Sequence, residues 1–310
     1  MAEQLYQRDV YGQTLVELGK QNKDIVVLDA DLSGSTRTAL FAKEFPERFF
    51  NFGVAEQNMV ASSAGLASCG KIVFVSTFAV FATGRAWDQV RNSVCYGNFN
   101  VKIVATHAGL TVGPDGATHQ ALEDIALMRV LPNMNIIVPC DGGQTRDAVL
   151  AAVDHKGPFY VRLGRAKVPT IENKGEFKLG KAQVLTGGND IAIIACGIMV
   201  SQAYAAVNSL SQKGIKARLI NMHTIRPLDT EEILKAAKET KAIIVCEEHV
   251  VIGGLASSVQ EVVAEQHPTK VICLGVKNRF GQSGEPSELL KEYNLTSADI
   301  EKAALNIVSK

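Results

Sequence analysis

Short, continuous apolar runs recur along this chain, and stretches with helical spacing separate them. The runs fall at residues 25–28, 72–75, 101–105, 136–138 and 159–161, then again at 191–195, 217–220, 242–246 and 271–274. Helical patterning covers residues 12–20, 86–95, 145–153, 201–213, 229–239 and 254–266. A strand that is apolar at every position must be buried on both faces, and intervening helices are what cover a parallel sheet. The expected fold class is therefore α/β, with two domains, each a mostly parallel sheet covered by helices. Residues 165–190 interrupt the pattern with Lys, Glu, Gly and Pro169, which reads as an interdomain linker plus a short hairpin. The expected division is 1–170, a linker over 171–187, and 188–310. A chain of 310 residues is long enough for a core in each part.

Charge narrows the function classes. The chain has 32 basic and 32 acidic residues and no Lys/Arg run, which argues against nucleic acid and against a charged membrane surface as partners. No apolar run reaches transmembrane length. Residues 1–9 are polar and carry acids, unlike a signal or transit peptide. Cys69, Cys95, Cys140, Cys196, Cys246 and Cys273 form no Cys-x-x-Cys pair. They read as small buried residues in a reducing compartment, so a cytoplasmic address is expected.

One carboxylate stands out. Arg48-Phe49-Phe50-Asn51-Phe52-Gly53-Val54-Ala55-Glu56-Gln57-Asn58-Met59 leads into the small residues of 60–67. A strand running into a tightly packed helix is expected, with Glu56 in its first turn. A lone acid in apolar surroundings is held toward its neutral form and can share a proton with a base; it can equally just favour the helix dipole. Phe78 and Phe81 follow an apolar run at a spacing of i, i+3 and can share a helical face, as a binding pair or as plain core. Residues 109–120, Gly-Leu-Thr-Val-Gly-Pro-Asp-Gly-Ala-Thr-His-Gln, form a glycine-dense loop after a strand, where α/β proteins bind ligands. Asp115 sits in a Pro-Asp-Gly turn signal, and His119 can bond a hydroxyl or simply stabilise the loop.

Three segments together resemble the transketolase family: Phe52-Gly53-Val54-Ala55-Glu56-Gln57-Asn58, the loop 109–120, and Leu131-Pro132-Asn133-Met134-Asn135-Ile136-Ile137-Val138-Pro139. The resemblance covers essentially the whole chain and the later two-thirds of a full-length transketolase. It implies thiamine diphosphate as cofactor, with Glu56 as the acid that meets the aminopyrimidine nitrogen. It implies that Phe78 and Phe81 line the pyrimidine pocket, with Gly84 where a third aromatic is often found, and that Leu32, beside Asp31, contacts the cofactor. Asp115 and His119 would contact the hydroxyls of a ketose donor, His119 also counting with Glu56 as catalytic. Arg165 would bind the substrate phosphate, with Arg162 close enough to leave the register open. His107, Arg8 and Ser35 would assist.

The family also needs Mg²⁺, held by a Gly-Asp-Gly segment and a later Asn. No Gly-Asp-Gly occurs in this sequence. The resemblance therefore implies no metal ligand here, a separate N-terminal subunit carrying that motif, and self-association into a twofold α2β2 heterotetramer acting on small sugar phosphates. The segment Cys246-Glu247-Glu248-His249-Val250-Val251-Ile252-Gly253-Gly254-Leu255 resembles the strand–turn–glycine–helix of the family's C-terminal domain and is expected to pack against a partner subunit. A 2-oxoacid dehydrogenase beta-type subunit shares the domain pair but is opposed by Gly-Pro-Asp-Gly-Ala-Thr-His-Gln. A 1-deoxyxylulose-5-phosphate synthase-like chain has closer motifs but is normally fused to its first domain. A catalytically silent binding or regulatory module is opposed by the retained Glu56, Phe78, Phe81, Asp115 and His119.

Overall fold

The computed structural model describes residues 3–172 and 174–308. Residues 1–2 of the polar N-terminal stretch, 173 of the expected linker and 309–310 of the expected second domain lie outside them. The strands are β1 (Gln4–Tyr6), β2 (Ile25–Asp29), β3 (Phe49–Asn51), β4 (Ile72–Ser76), β5 (Val101–Ala105), β6 (Asn135–Ile137), β7 (Phe159–Arg162), β8 (Lys167–Pro169), β9 (Gln183–Thr186), β10 (Ile191–Ala195), β11 (Ala217–Asn221), β12 (Thr224–Arg226), β13 (Ile243–Val250) and β14 (Val271–Val276).

The first sheet runs β12-β6-β7-β5-β4-β2-β3. Every neighbouring pair is parallel except β12 with β6. The second sheet runs β14-β13-β10-β11-β9, parallel except for β9. Each residue of β2, β5 and β10 is buried, as expected of strands covered by helices on both sides. The two domains share more than a boundary. β12, which follows β11 of the second sheet, pairs antiparallel with β6 and covers that edge of the first sheet.

Several expectations change. β9 lies inside the stretch expected as a linker. The same stretch also holds a tight turn with an antiparallel bridge between Lys178 and Lys181, while β8 pairs with β1 and β9 with β11. The single helix expected over 86–95 is instead a short α-helix Trp87–Gln89 followed by a π-helical turn Val90–Cys95, with another π-helical turn, Phe81–Arg85, just before it. All six cysteines are free, but Cys69 is exposed and Cys273 half-buried.

One buried polar feature is an ion pair. Arg162, at the end of β7, donates from Nε to Asp124 Oδ2 at 2.6 Å and from Nη2 to Oδ1 at 3.1 Å. Tyr160 Oη donates to the same carboxylate at 2.6 Å. Burial resists the charge on Asp124, yet Arg162 holds that carboxyl below its usual range. Deleting one partner of such a pair strands a buried charge, at a cost of about 3–5 kcal/mol. Asp124→Ala should lose stability on that scale in urea unfolding, and a loss under about 1 kcal/mol would show that Arg162 finds another counter-charge or water.

Candidate active site

The helix Glu56–Ser68 explains how an acid becomes buried. Its buried residues are Glu56, Met59, Val60, Ser63, Ala64 and Ala67, one face of a helix at i, i+3, i+4 spacing. Glu56 starts that face and is 1% exposed. It is not the lone acid expected from the sequence. Arg85 Nη1 donates to both carboxylate oxygens, at 2.7 and 2.9 Å. The Arg85 guanidinium lies 4.4 Å from the centroid of Phe81, and its side chain is 46% exposed, so its outer side faces solvent. Sequence reasoning missed Arg85; its one signal was its place directly after Gly84.

Phe78 and Phe81 do come together, stacked at 6.1 Å. His107 stacks on Phe78 at 3.8 Å. His119 meets Phe81 edge-on at 5.5 Å and Phe78 at 6.3 Å. The chain thus brings Glu56, Phe78, Phe81, His107 and His119 into one cluster beyond the C-terminal ends of β4 and β5, where parallel sheets place ligands. Asp115 is exposed on the loop that leads to His119. The loop turns at Gly109, Gly113 and Gly116 with φ of 84°, 84° and 75°, a region open to glycine and strained for other residues.

Leu32 and Asp31 follow β2 at the same edge. Leu32 N–H donates to Asp29 Oδ1 at 2.6 Å. Asp31, at φ 63°, exchanges hydrogen bonds with Asn51 at 3.1 and 3.0 Å and is otherwise exposed.

A cleft of about 470 Å³ is lined by Tyr6, Arg8, Thr111, Arg165, Lys167 and Glu285, among others. Arg165 Nη1 donates to Val112 O at 2.6 Å. Arg8 Nη1 reaches Ser35 O at 3.4 Å, while Arg8 Nε is buried without a partner among the described residues. Burial, then Arg37 and Arg165, pull the Arg8 pKa down, with Asp9 opposing. Positive charge is in excess here, which is the condition for holding an anion. The Arg162 alternative closes: that side chain is 6% exposed and spent on Asp124, Ala121 O and Glu248 O.

The acid–histidine segment of β13 faces inward. Glu247, Glu248 and His249 are buried within this chain, whereas Ile252 in the turn that follows them is exposed. Glu247 accepts from Leu255 N–H and Ala256 N–H, at 2.7 and 2.8 Å. Glu248 accepts from Thr111 N–H at 2.5 Å, and His249 Nε2 from Ala126 N–H at 3.3 Å. Glu247 Oε2 lies 3.8 Å from His249 Nδ1, while Glu248 turns to Thr111, and among the described residues no group of three or more His, Cys, Asp or Glu is placed to hold a metal.

This is the arrangement of a two-domain α/β protein with an aromatic cluster and a cleft lined by arginines. Residues 3–170 match the family "Transketolase, pyrimidine binding domain", and residues 180–300 match "Transketolase, C-terminal domain". The chain belongs to the transketolase family. It is 45% identical to an apulose-4-phosphate transketolase subunit of Phocaeicola vulgatus, over 98% of this chain and 97% of that one. A solved "Split gene transketolase, inactive beta4 tetramer" is 50% identical, with a TM-score of 0.91, covering 98% of this chain and 99% of that one. Human transketolase is 36% identical over the full chain, which spans 50% of that protein, half rather than the two-thirds expected.

Burial, reinforced by Arg8, Arg165 and His119, pushes the His107 pKa down from 6.5 to about 3. The unfolded chain therefore takes up this proton first as the pH falls. The contribution is intact above pH 6.5 and is lost progressively toward pH 3, by up to roughly 1.4 kcal/mol per pH unit. His107→Asn should unfold with a shallower loss of stability between pH 7 and pH 4.5 than the native chain in urea titrations. Parallel curves would show that His107 stays solvated.

Proposed function

We propose that this chain is the pyrimidine-binding and C-terminal subunit of a two-chain transketolase. It transfers a two-carbon ketol unit from a ketose phosphate to an aldose phosphate. The observation that carries this reading is one buried carboxyl, Glu56, tied through Arg85 to the stacked Phe78–Phe81 pair, with His107 stacked on Phe78 and within reach of the charges of Arg8 and Arg165. A 45% identical relative named as a subunit of a transketolase supports it.

The residues fit thiamine diphosphate at its ring end: the aromatic pair Phe78 and Phe81 and one buried acid whose hydrogen bonds come from Arg85. When bound, the cofactor supplies a nucleophilic carbon and an electron sink. Glu56 gives its carboxyl to the ring nitrogen, and Arg85 yields at least one carboxylate oxygen for that contact. Phe78 and Phe81 would line the ring's pocket, with Leu32 and Asp31 contributing from the loop after β2. Asp115 and His119 take the donor's hydroxyls. His107, Ser35, Arg8 and Arg165 hold its phosphate, which fixes the reacting carbon at a set distance from the ring pocket. Mg²⁺ and the diphosphate are held by a partner subunit with the Gly-Asp-Gly…Asn motif, in an α2β2 assembly in the cytoplasm.

Mixed with such a partner, thiamine diphosphate and Mg²⁺, the chain should transfer ketol units from xylulose 5-phosphate to ribose 5-phosphate. Glu56→Gln should lower kcat by about a hundredfold or more. Robust transfer by the chain alone, or near-normal turnover of the Glu56→Gln complex, would overturn the reading.

Arg165→Ala should raise KM about tenfold or more for phosphorylated donors while sparing hydroxypyruvate, the signature of lost remote binding. Equal losses for both donors would make Arg165 structural.

A further inference from the structure

The loop 109–120 owes its shape to the second domain along its whole length. Thr111 N–H donates to Glu248 Oε1 of β13 at 2.5 Å. Gly109 packs so closely on the same carboxyl that no side chain fits there. Gly113 backs onto Gly284 O and Pro286, and Gly116 onto the Ser283 hydroxyl; a Cβ added at either would lie 3.3 Å from Gly284 O and 2.5 Å from Ser283 Oγ respectively. Gln120 Nε2 closes the loop, donating to Leu110 O and to Gln282 O, each at 3.0 Å. Glu248 is itself fixed. Its carbonyl accepts from Arg162 Nη2 at 3.0 Å, and Val250 N–H donates to Leu122 O at 2.8 Å.

We infer that the second domain governs donor selectivity, with Glu248 as the positioning residue that holds the loop of Asp115 and His119 in register with Phe78 and Phe81. This rests on the reading of that loop as the part that meets the donor's hydroxyls. A carboxylate on a backbone N–H is a strong acceptor, and losing a charged hydrogen bond in a buried place is costly. Hydroxyl reading tolerates little displacement, since a mispositioned polar group is left unpaired.

The groups around Glu248 are Arg162 and Tyr160 from β7, Asp124 from the helix Asp124–Arg129, and Glu247 and His249 on its own strand. Burial raises the Glu248 pKa from 4.5 to about 7, against the pull of Arg162 and of the Thr111 N–H. The neutral acid is the weaker acceptor, so the pin loosens as the pH falls below that point.

The test uses Glu248→Ala and Glu248→Gln in the full chain. By mass-spectrometric hydrogen exchange, the alanine variant should exchange residues 109–120 about tenfold or more faster, with 191–195 and 243–246 unchanged. Glutamine keeps the acceptor and should restore the protection. In the complex with the partner subunit, the alanine variant should narrow the preference for hydroxypyruvate over pyruvate about tenfold, with KM for ribose 5-phosphate unmoved. Glutamine should keep the preference and remove its pH dependence around neutrality. Unchanged loop exchange in the alanine variant, or a glutamine variant as loose as alanine, overturns the inference. So does a loosened loop with an unchanged donor ratio. His119→Ala then shows which premise failed. A ratio unchanged there too condemns the hydroxyl-reading assignment, whereas a narrowed ratio condemns only the role of Glu248.

Discussion

A single guanidinium joins most of what matters in this molecule. Arg162 is buried, and its donors go to Asp124, to the carbonyl where the loop 109–120 ends, and to the carbonyl of Glu248 in the other domain. An ion buried this deeply is tolerable only with its charge paired and its protons placed. That requirement fixes β7, the helix Asp124–Arg129 and β13 relative to one another. The loop 109–120 hangs between these anchors, and the aromatic cluster and anion cleft take their geometry from it.

The candidate site divides its work by charge. At one end Glu56 is a buried acid tied to a half-exposed Arg85. At the other, Arg8 and Arg165 crowd together with too few acids to match, and one Arg8 nitrogen has no partner among the described residues. His107 stands between them, kept neutral by burial and by those same arginines. A neutral imidazole there can accept or donate a hydrogen bond without adding to the repulsion. The Arg85–Glu56 pair occupies both carboxylate oxygens of Glu56, so any other partner of that carboxyl must displace Arg85. Its exposed outer side makes that movement inexpensive compared with breaking the Arg162–Asp124 pair.

Much of this was legible in the residues alone. The alternation of apolar runs and helical stretches determined the α/β class, because strands buried on both faces leave no polar positions. The helical phase of Glu56 with Met59, Val60, Ser63, Ala64 and Ala67 made it a buried acid, since periodicity assigns a face. The glycines of 109–120 marked a loop that only glycine can trace. The sequence could not decide the partners of these groups. Glu56 meets Arg85 across 29 residues, Arg162 meets Asp124 across 38, and Thr111 meets Glu248 across 137. The tertiary structure alone made Arg162 structural and left Arg165 to the cleft. It alone turned β13's acids inward and lent β12 to the other sheet. The physical reason is that periodicity and propensity act over a few residues, whereas pairing of buried charges is settled only when distant segments pack.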